Sequence, residues 1–342
     1  MTDCRLKQSS VMNKVWIQRI LYVLLLALGL GITIWLFSDQ DLTVMQKILA
    51  YTRWEWVGLS LVVTLTGHWI RAQRWALLLK GGQEFVSTKE TFVALMTGYF
   101  VNLGIPRLGE ATRCLSLNRL TETPVMKSAG TVLVERVFDL ICLVLILGGT
   151  VFAARDEVGQ FVRADIAKPL VGKFEGKEII IAVAAFILVV GAVLLYLFLR
   201  LKLGQKWLAW IQGQAGKMRD GLLAVYYMPG KLKFLLYTLI IWLSYFSAPF
   251  FSLYALGLAN ERAVLVGFVV FVVGSVARTL PVPAGGVGPY QWFVMQAMIV
   301  FGYSQEEGLS LAVLNFSVQT LFYIIFGILS FVLLGLWGRK RI

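Results

Sequence analysis

Long apolar runs alternate with short polar breaks along nearly the whole chain. They cover about 17–37, 54–79, 91–105, 131–153, 179–199, 234–257, 263–280, 285–301 and 308–337. A helix that crosses the hydrocarbon core needs about 20 apolar residues at 1.5 Å rise per residue. Six runs meet that length, while 91–105, 263–280 and 285–301 are marginal. The marginal runs flank two breaks, Pro106-Arg107-Leu108-Gly109-Glu110-Ala111-Thr112-Arg113 and Pro281-Val282-Pro283-Ala284-Gly285-Gly286-Val287-Gly288-Pro289. Broken helices at membrane depth are tolerated only where they are buried in protein or line a wet cavity. The pattern predicts an all-α, polytopic membrane helical bundle with two broken-helix or re-entrant hairpin regions. It forms a single integral membrane domain, 1–342, with halves at about 17–153 and 179–337.

Charge asymmetry orients the bundle. The loop 200–233 carries Arg200, Lys202, Lys206, Lys217, Arg219, Lys231 and Lys233 against Asp220 alone, so it is expected to be cytoplasmic. Both termini, with Arg5, Lys7, Lys14 and Arg19 at one end and Arg339-Lys340-Arg341 at the other, are expected there too. Loop 154–178, with five basic and five acidic residues, and Tyr303–Gly308, with Glu306 and Glu307, read as outside. Parity then requires 91–120 to enter and leave on the cytoplasmic face and 263–301 on the opposite one. Opposed hairpins, one per half, are what an inverted repeat produces. The expected location is the inner (plasma) membrane.

Composition narrows the function. Hydrophobic residues make up 58% of the chain and charged ones 15%, with a mean hydropathy of +0.75. A net charge of +13 in such a chain follows from the positive-inside rule rather than from nucleic-acid binding. Cys4, Cys114 and Cys142 have no metal or disulfide spacing, and His68 is the single histidine, so no zinc site, metal or other cofactor is expected. The first run is too long for a signal-peptide core.

Ionisable residues inside the runs mark the candidate site, because each unpaired charge at a helix centre costs about 2.5–3.5 kcal/mol on insertion scales. Arg71 and Arg74 share a helix face in 67–75; Arg74 either snorkels to an interface marked by Trp69 and Trp75 or, like the deeper Arg71, faces the bundle. His68 reads as a packing residue. Glu135, Arg136 and Asp139 fall within five positions, and Glu135 and Asp139 share a face. They are expected to hold arginines, either as a structural network or along a substrate path. Arg107 and Arg113 flank Glu110; a helix beginning at Pro106 would aim its first N–H groups and these guanidiniums at an anion. Arg278 precedes the second break, where Gly285 and Gly286 allow a sharp turn or close approach of a ligand, and Gln291 follows.

Three stretches together resemble the transmembrane region of lysylphosphatidylglycerol synthases: Asn102…Pro106-Arg107-Leu108-Gly109-Glu110…Arg113, then Val134-Glu135-Arg136-Val137-Phe138-Asp139, then Pro281-x-Pro283-x-Gly285-Gly286-Val287-Gly288. The resemblance covers about residues 15–337. It implies a flippase-like module. The soluble aminoacyl-transferase domain of the fused enzymes is not expected in this chain, so lipid aminoacylation is not assigned. Gln291 stands where many members carry an acid. The expected function is movement of a lipid or lipid-linked intermediate with an anionic head group between leaflets. Its substrate would contact Arg71, Arg107, Glu110, Arg113, Glu135, Arg136, Asp139, Arg278, Gly285, Gly286 and Gln291. Two alternatives stand beside it: a membrane-embedded transferase acting on lipid or polyprenyl-phosphate substrates, and a non-catalytic subunit of an envelope-synthesis complex.

Overall fold

The computed structural model describes residues 42–105, 108–155, 225, 228, 230–279 and 286–338, and the regular structure among them is helical. The expected spans 17–37 and 179–199 and most of the loop 200–233 lie outside the described residues. Helices α1 (Leu42–Ala50), α2 (Trp54–Gly81), α3 (Thr88–Gly104), α4 (Gly109–Thr121) and α5 (Val125–Ala153) come from the first half. Helices α6 (Lys231–Ala255), α7 (Ala263–Thr279), α8 (Pro289–Val300) and α9 (Gln305–Gly338) come from the second. α6 and α9 are long and apolar enough to cross a membrane. α2 and α5 match them in length but carry the ionisable residues of the candidate site.

Local chemistry sets several boundaries. Ser87 and Glu90 form a reciprocal capping box at the start of α3, the Ser87 side chain accepting from the Glu90 N–H at 3.3 Å and Glu90 accepting from the Ser87 N–H at 3.0 Å. Ser304 and Glu307 do the same for α9, and Glu306 and Glu307 lie in its first turn. Pro289 starts α8, where its missing N–H costs nothing. Before it, Gly286 (φ 86°) and Gly288 (φ 87°) take backbone conformations open to glycine and strained for other residues.

α2 and α6 pack most extensively of all the helix pairs and run antiparallel. The Arg53 N–H donates to the Ala255 carbonyl at 2.8 Å at one end, and Leu77 touches Gly230 at the other. They lie so close that a Cβ on Gly67 would overlap the Ser244 side chain. These two helices define two faces of the bundle. The loop before α3 and the first turn of α5 are joined by a Lys127–Glu84 ion pair at 2.7 Å, on the face where α2 ends. The α3–α4 pair therefore enters and leaves on that face. The Tyr303 hydroxyl donates to the Leu258 carbonyl at 2.8 Å, joining the loop before α7 to the one after α8 on the face where α6 ends. The α7–α8 pair thus starts and finishes on the opposite face of the bundle. At 1.5 Å per residue, α3 and α7 are about 25 Å long and α4 and α8 about 20 Å, short of a core of about 30 Å.

The core is divided likewise. Trp75, Leu79, Ala94, Cys114, Leu117 and Val132 pack α2–α5 together. A larger cluster built on Val266, Val270, Tyr290, Val294, Met298 and Ala312 packs α7, α8 and α9. Trp75 is wholly buried, with its indole N–H on Thr131 at 2.9 Å, so it is a core residue and not part of an interfacial belt.

Candidate functional site

α2 and α5 lay a row of charges against each other about 15 Å from their nearer ends. Asp139 accepts from Arg71 at 2.8 Å and from Arg74 at 2.8 Å. Glu135 accepts from Arg113 of α4 at 2.9 Å and stands 3.4 Å from Arg74. Arg71 also donates to the Tyr245 hydroxyl, and Arg74 to Thr238 at 3.0 Å. The Arg113 guanidinium lies over the Trp75 ring, 4.9 Å from its centroid. Arg74 and Glu135 have no exposed surface. Arg74 therefore does not snorkel: a carboxylate pair 61 and 65 residues away gives it a better partner than the interface would. The acidic face of α5 holds three arginines.

Beside this row lies a cavity of about 750 Å³. The tips of both hairpins reach it: Asn102 and Glu110 from α3 and α4, and Gly274, Ser275 and Arg278 from α7, with Tyr290 from α8. Arg71 and Arg136 close it on the α2–α5 side. Arg136 pairs with Glu110 at 2.9 Å, and both side chains remain more than 40% exposed, so the cavity has an open mouth there. Arg278 is exposed, forms no ion pair among the described residues, and lies over the Tyr290 ring at 4.3 Å. Two wall residues act as fixed struts, since the Tyr290 hydroxyl accepts from Asn315 at 2.9 Å and the Tyr323 hydroxyl from Gln319 at 3.0 Å.

The sequence-derived set is thus divided. Arg71, Glu110, Arg136 and Arg278 line the cavity. Glu135, Asp139 and Arg113 sit behind the wall, engaged with one another and with Arg71 and Arg74. Arg107 and Gly285 lie outside the described residues. Gly286 is part of the turn into α8, and Gln291 is buried there, its side-chain carbonyl accepting from the Gly288 N–H at 2.8 Å. α4 runs from Gly109, which packs on Gly98: a Cβ on either would run into the other's carbonyl. The first N–H of α4 is already taken by Asn102 at 2.7 Å.

Sequence reasoning missed Tyr99, Tyr245, Asn315, Gln319 and Tyr323, which complete the wall. Asn315, Gln319 and Tyr323 recur every fourth residue on α9, a polar stripe on one helix face that was available as a signal. His68 is buried among the rings of Tyr99, Tyr245, Phe322 and Tyr323, and its ring nitrogens find no hydrogen-bond partner among the described residues.

A helical bundle carrying buried ion pairs and a polar cavity where two interrupted helix pairs meet defines a class of membrane protein built around an internal site. The sequence profile of the lysylphosphatidylglycerol synthase TM region matches residues 20–327, and the chain belongs to that family. A UPF0104 membrane protein of Methanocaldococcus jannaschii is 32% identical over 96 residues, 27% of this chain and 29% of that protein. No solved structure matches the chain.

Proposed function

We propose that this protein carries a lipid with an anionic phosphate head group between the leaflets of the plasma membrane, with both termini cytoplasmic. The observation that carries the reading is the open cavity of about 750 Å³ on which both hairpin tips converge, with Arg278 at its wall and no carboxylate paired to it among the described residues. Pockets for small ligands span roughly 300–1,000 Å³, so the space suits a head group while acyl chains stay in lipid. The opposed hairpins support alternating exposure of that space to the two faces.

Leaflet exchange of labelled phospholipids in vesicles containing the purified chain tests this. Exchange above protein-free vesicles, and cut severalfold in Arg278→Gln and Arg107→Ala, is the expected result. Exchange equal to protein-free vesicles for every major head group would refute it.

A further inference from the structure

The cavity wall carries four ionisable side chains of full charge from the described residues: Arg71, Arg136, Arg278 and Glu110. Arg71 is spent on Asp139 at 2.8 Å, and Arg136 on Glu110 at 2.9 Å. One guanidinium, Arg278, is left without an ion pair among the described residues, whereas the wall's carboxylate is already paired. The rest of the polar wall is neutral and of two kinds. Asn102, Asn315, Gln319 and Thr320 bring amide and hydroxyl groups, and Tyr99, Tyr245, Tyr290 and Tyr323 bring phenol rings. Amides and hydroxyls can both donate to and accept from an alcohol, and aromatic rings cover the C–H faces of polyols.

Resting on the transport reading above, we propose that the cavity selects a monoanionic phosphodiester whose head group is uncharged and hydroxylated, a glycerol or a sugar. It selects against a cationic, aminoacylated head group. An ammonium placed here would lose its hydration, find no free carboxylate among the described residues, and stand near Arg278. Phosphate instead finds the fork of donors of the Arg278 guanidinium, which lies over the Tyr290 ring. The carboxylates that the sequence offers for a cation, Glu135 and Asp139, are occupied by Arg71, Arg74 and Arg113.

The test is equilibrium binding to the purified full-length chain in phosphatidylcholine nanodiscs, read as displacement of a fluorescent phosphatidylglycerol. Phosphatidylglycerol is expected to displace at concentrations at least tenfold lower than lysyl-phosphatidylglycerol. Phosphatidylmethanol, which has the charge and lacks the hydroxyls, should fall between them. Glycerophosphoglycerol, the head group without acyl chains, should compete, which puts recognition in the polar cavity. Arg278→Gln should remove the preference for phosphatidylglycerol, and Gln319→Leu should shrink its margin over phosphatidylmethanol. Lysyl-phosphatidylglycerol binding as tightly as phosphatidylglycerol would overturn the selectivity, as would failure of glycerophosphoglycerol to compete. Vesicle exchange measured on the same preparation separates the two ideas: exchange without this preference sinks the head-group assignment alone, and absence of both sinks the transport reading with it.

Discussion

Replacing Glu135 with Gln keeps shape and removes one charge from the row between α2, α4 and α5. Glu135 is fully buried, and its carboxylate is the ion-pair partner of Arg113, whose side chain is 5% exposed. Arg74 keeps Asp139 at 2.8 Å, so Arg113 bears most of the loss. Removing one partner of a buried pair costs about 3–5 kcal/mol, and an unpaired arginine at a helix centre about 2.5–3.5 kcal/mol. Both routes give roughly 3 kcal/mol for Glu135→Gln. Arg113→Gln should cost less, because Glu135 keeps Arg74 at 3.4 Å. The double variant leaves two amides that can bond each other. It should therefore be more stable than the sum of the single losses implies, with a coupling on the order of 2 kcal/mol. Equilibrium unfolding in bicelles by steric trapping measures all four corners of the cycle. Single losses that add within about 0.5 kcal/mol, or a Glu135→Gln cost under about 1 kcal/mol, would refute the reasoning. Arg278→Gln is the control: it gives up a cation–π contact of about 0.5–1 kcal/mol and no ion pair among the described residues, so it should unfold nearly as the parent does.

Two further outcomes follow from the hairpin geometry. Gly109→Ala should push α4 off α3, because the added methyl meets the Gly98 carbonyl and the Asn102 side chain; it should lower thermal stability by several degrees and cut exchange, while Gly104→Ala, with open space around it, should do neither. In a chain freed of its native cysteines, Glu84→Cys with Lys127→Cys should be labelled by an impermeant thiol reagent from one side of a vesicle and Asn260→Cys from the other; labelling from a common side would break the opposed-hairpin arrangement.

The long helices were legible because hydropathy and length suffice to find them: 54–79, 131–153, 234–257 and 308–337 correspond to α2, α5, α6 and α9, whose ends differ from those runs by a few residues. The acidic face of α5 was legible too, since Glu135 and Asp139 are four apart and lipid does not tolerate bare charge. Which arginines it holds was not. Arg74 looks like an interfacial residue beside tryptophans until Asp139, 65 residues on, comes within 2.8 Å. Arg113 and Arg278 both stand next to a Pro/Gly break, and only the packing of α4 on α5 buries one while leaving the other at the cavity. Gln291 reads as a ligand by position, yet it bonds the backbone of its own helix start. Tertiary distance decided each case, and local pattern carries no record of it.

The division of charge also constrains how such a site could alternate between faces. Two conformers that both serve a transport cycle must lie within a few kcal/mol of each other. Three ion pairs under 3 Å, made by largely buried side chains, tie α5 to α2 and α4, and parting these helices would have to break them together. On the transport reading proposed above, α2, α4 and α5 are expected to stay together. Helix α3 goes with them, fixed to α4 by the Gly98–Gly109 contact and the Asn102 bond. Movement then falls to α7 and α8, whose share of the cavity wall is neutral apart from Arg278. Joining the two thiols of the Glu84→Cys, Lys127→Cys variant with a short bifunctional maleimide staples two parts of the unit held to be rigid, so exchange should survive it. Loss of exchange on cross-linking would show that the charged half itself opens.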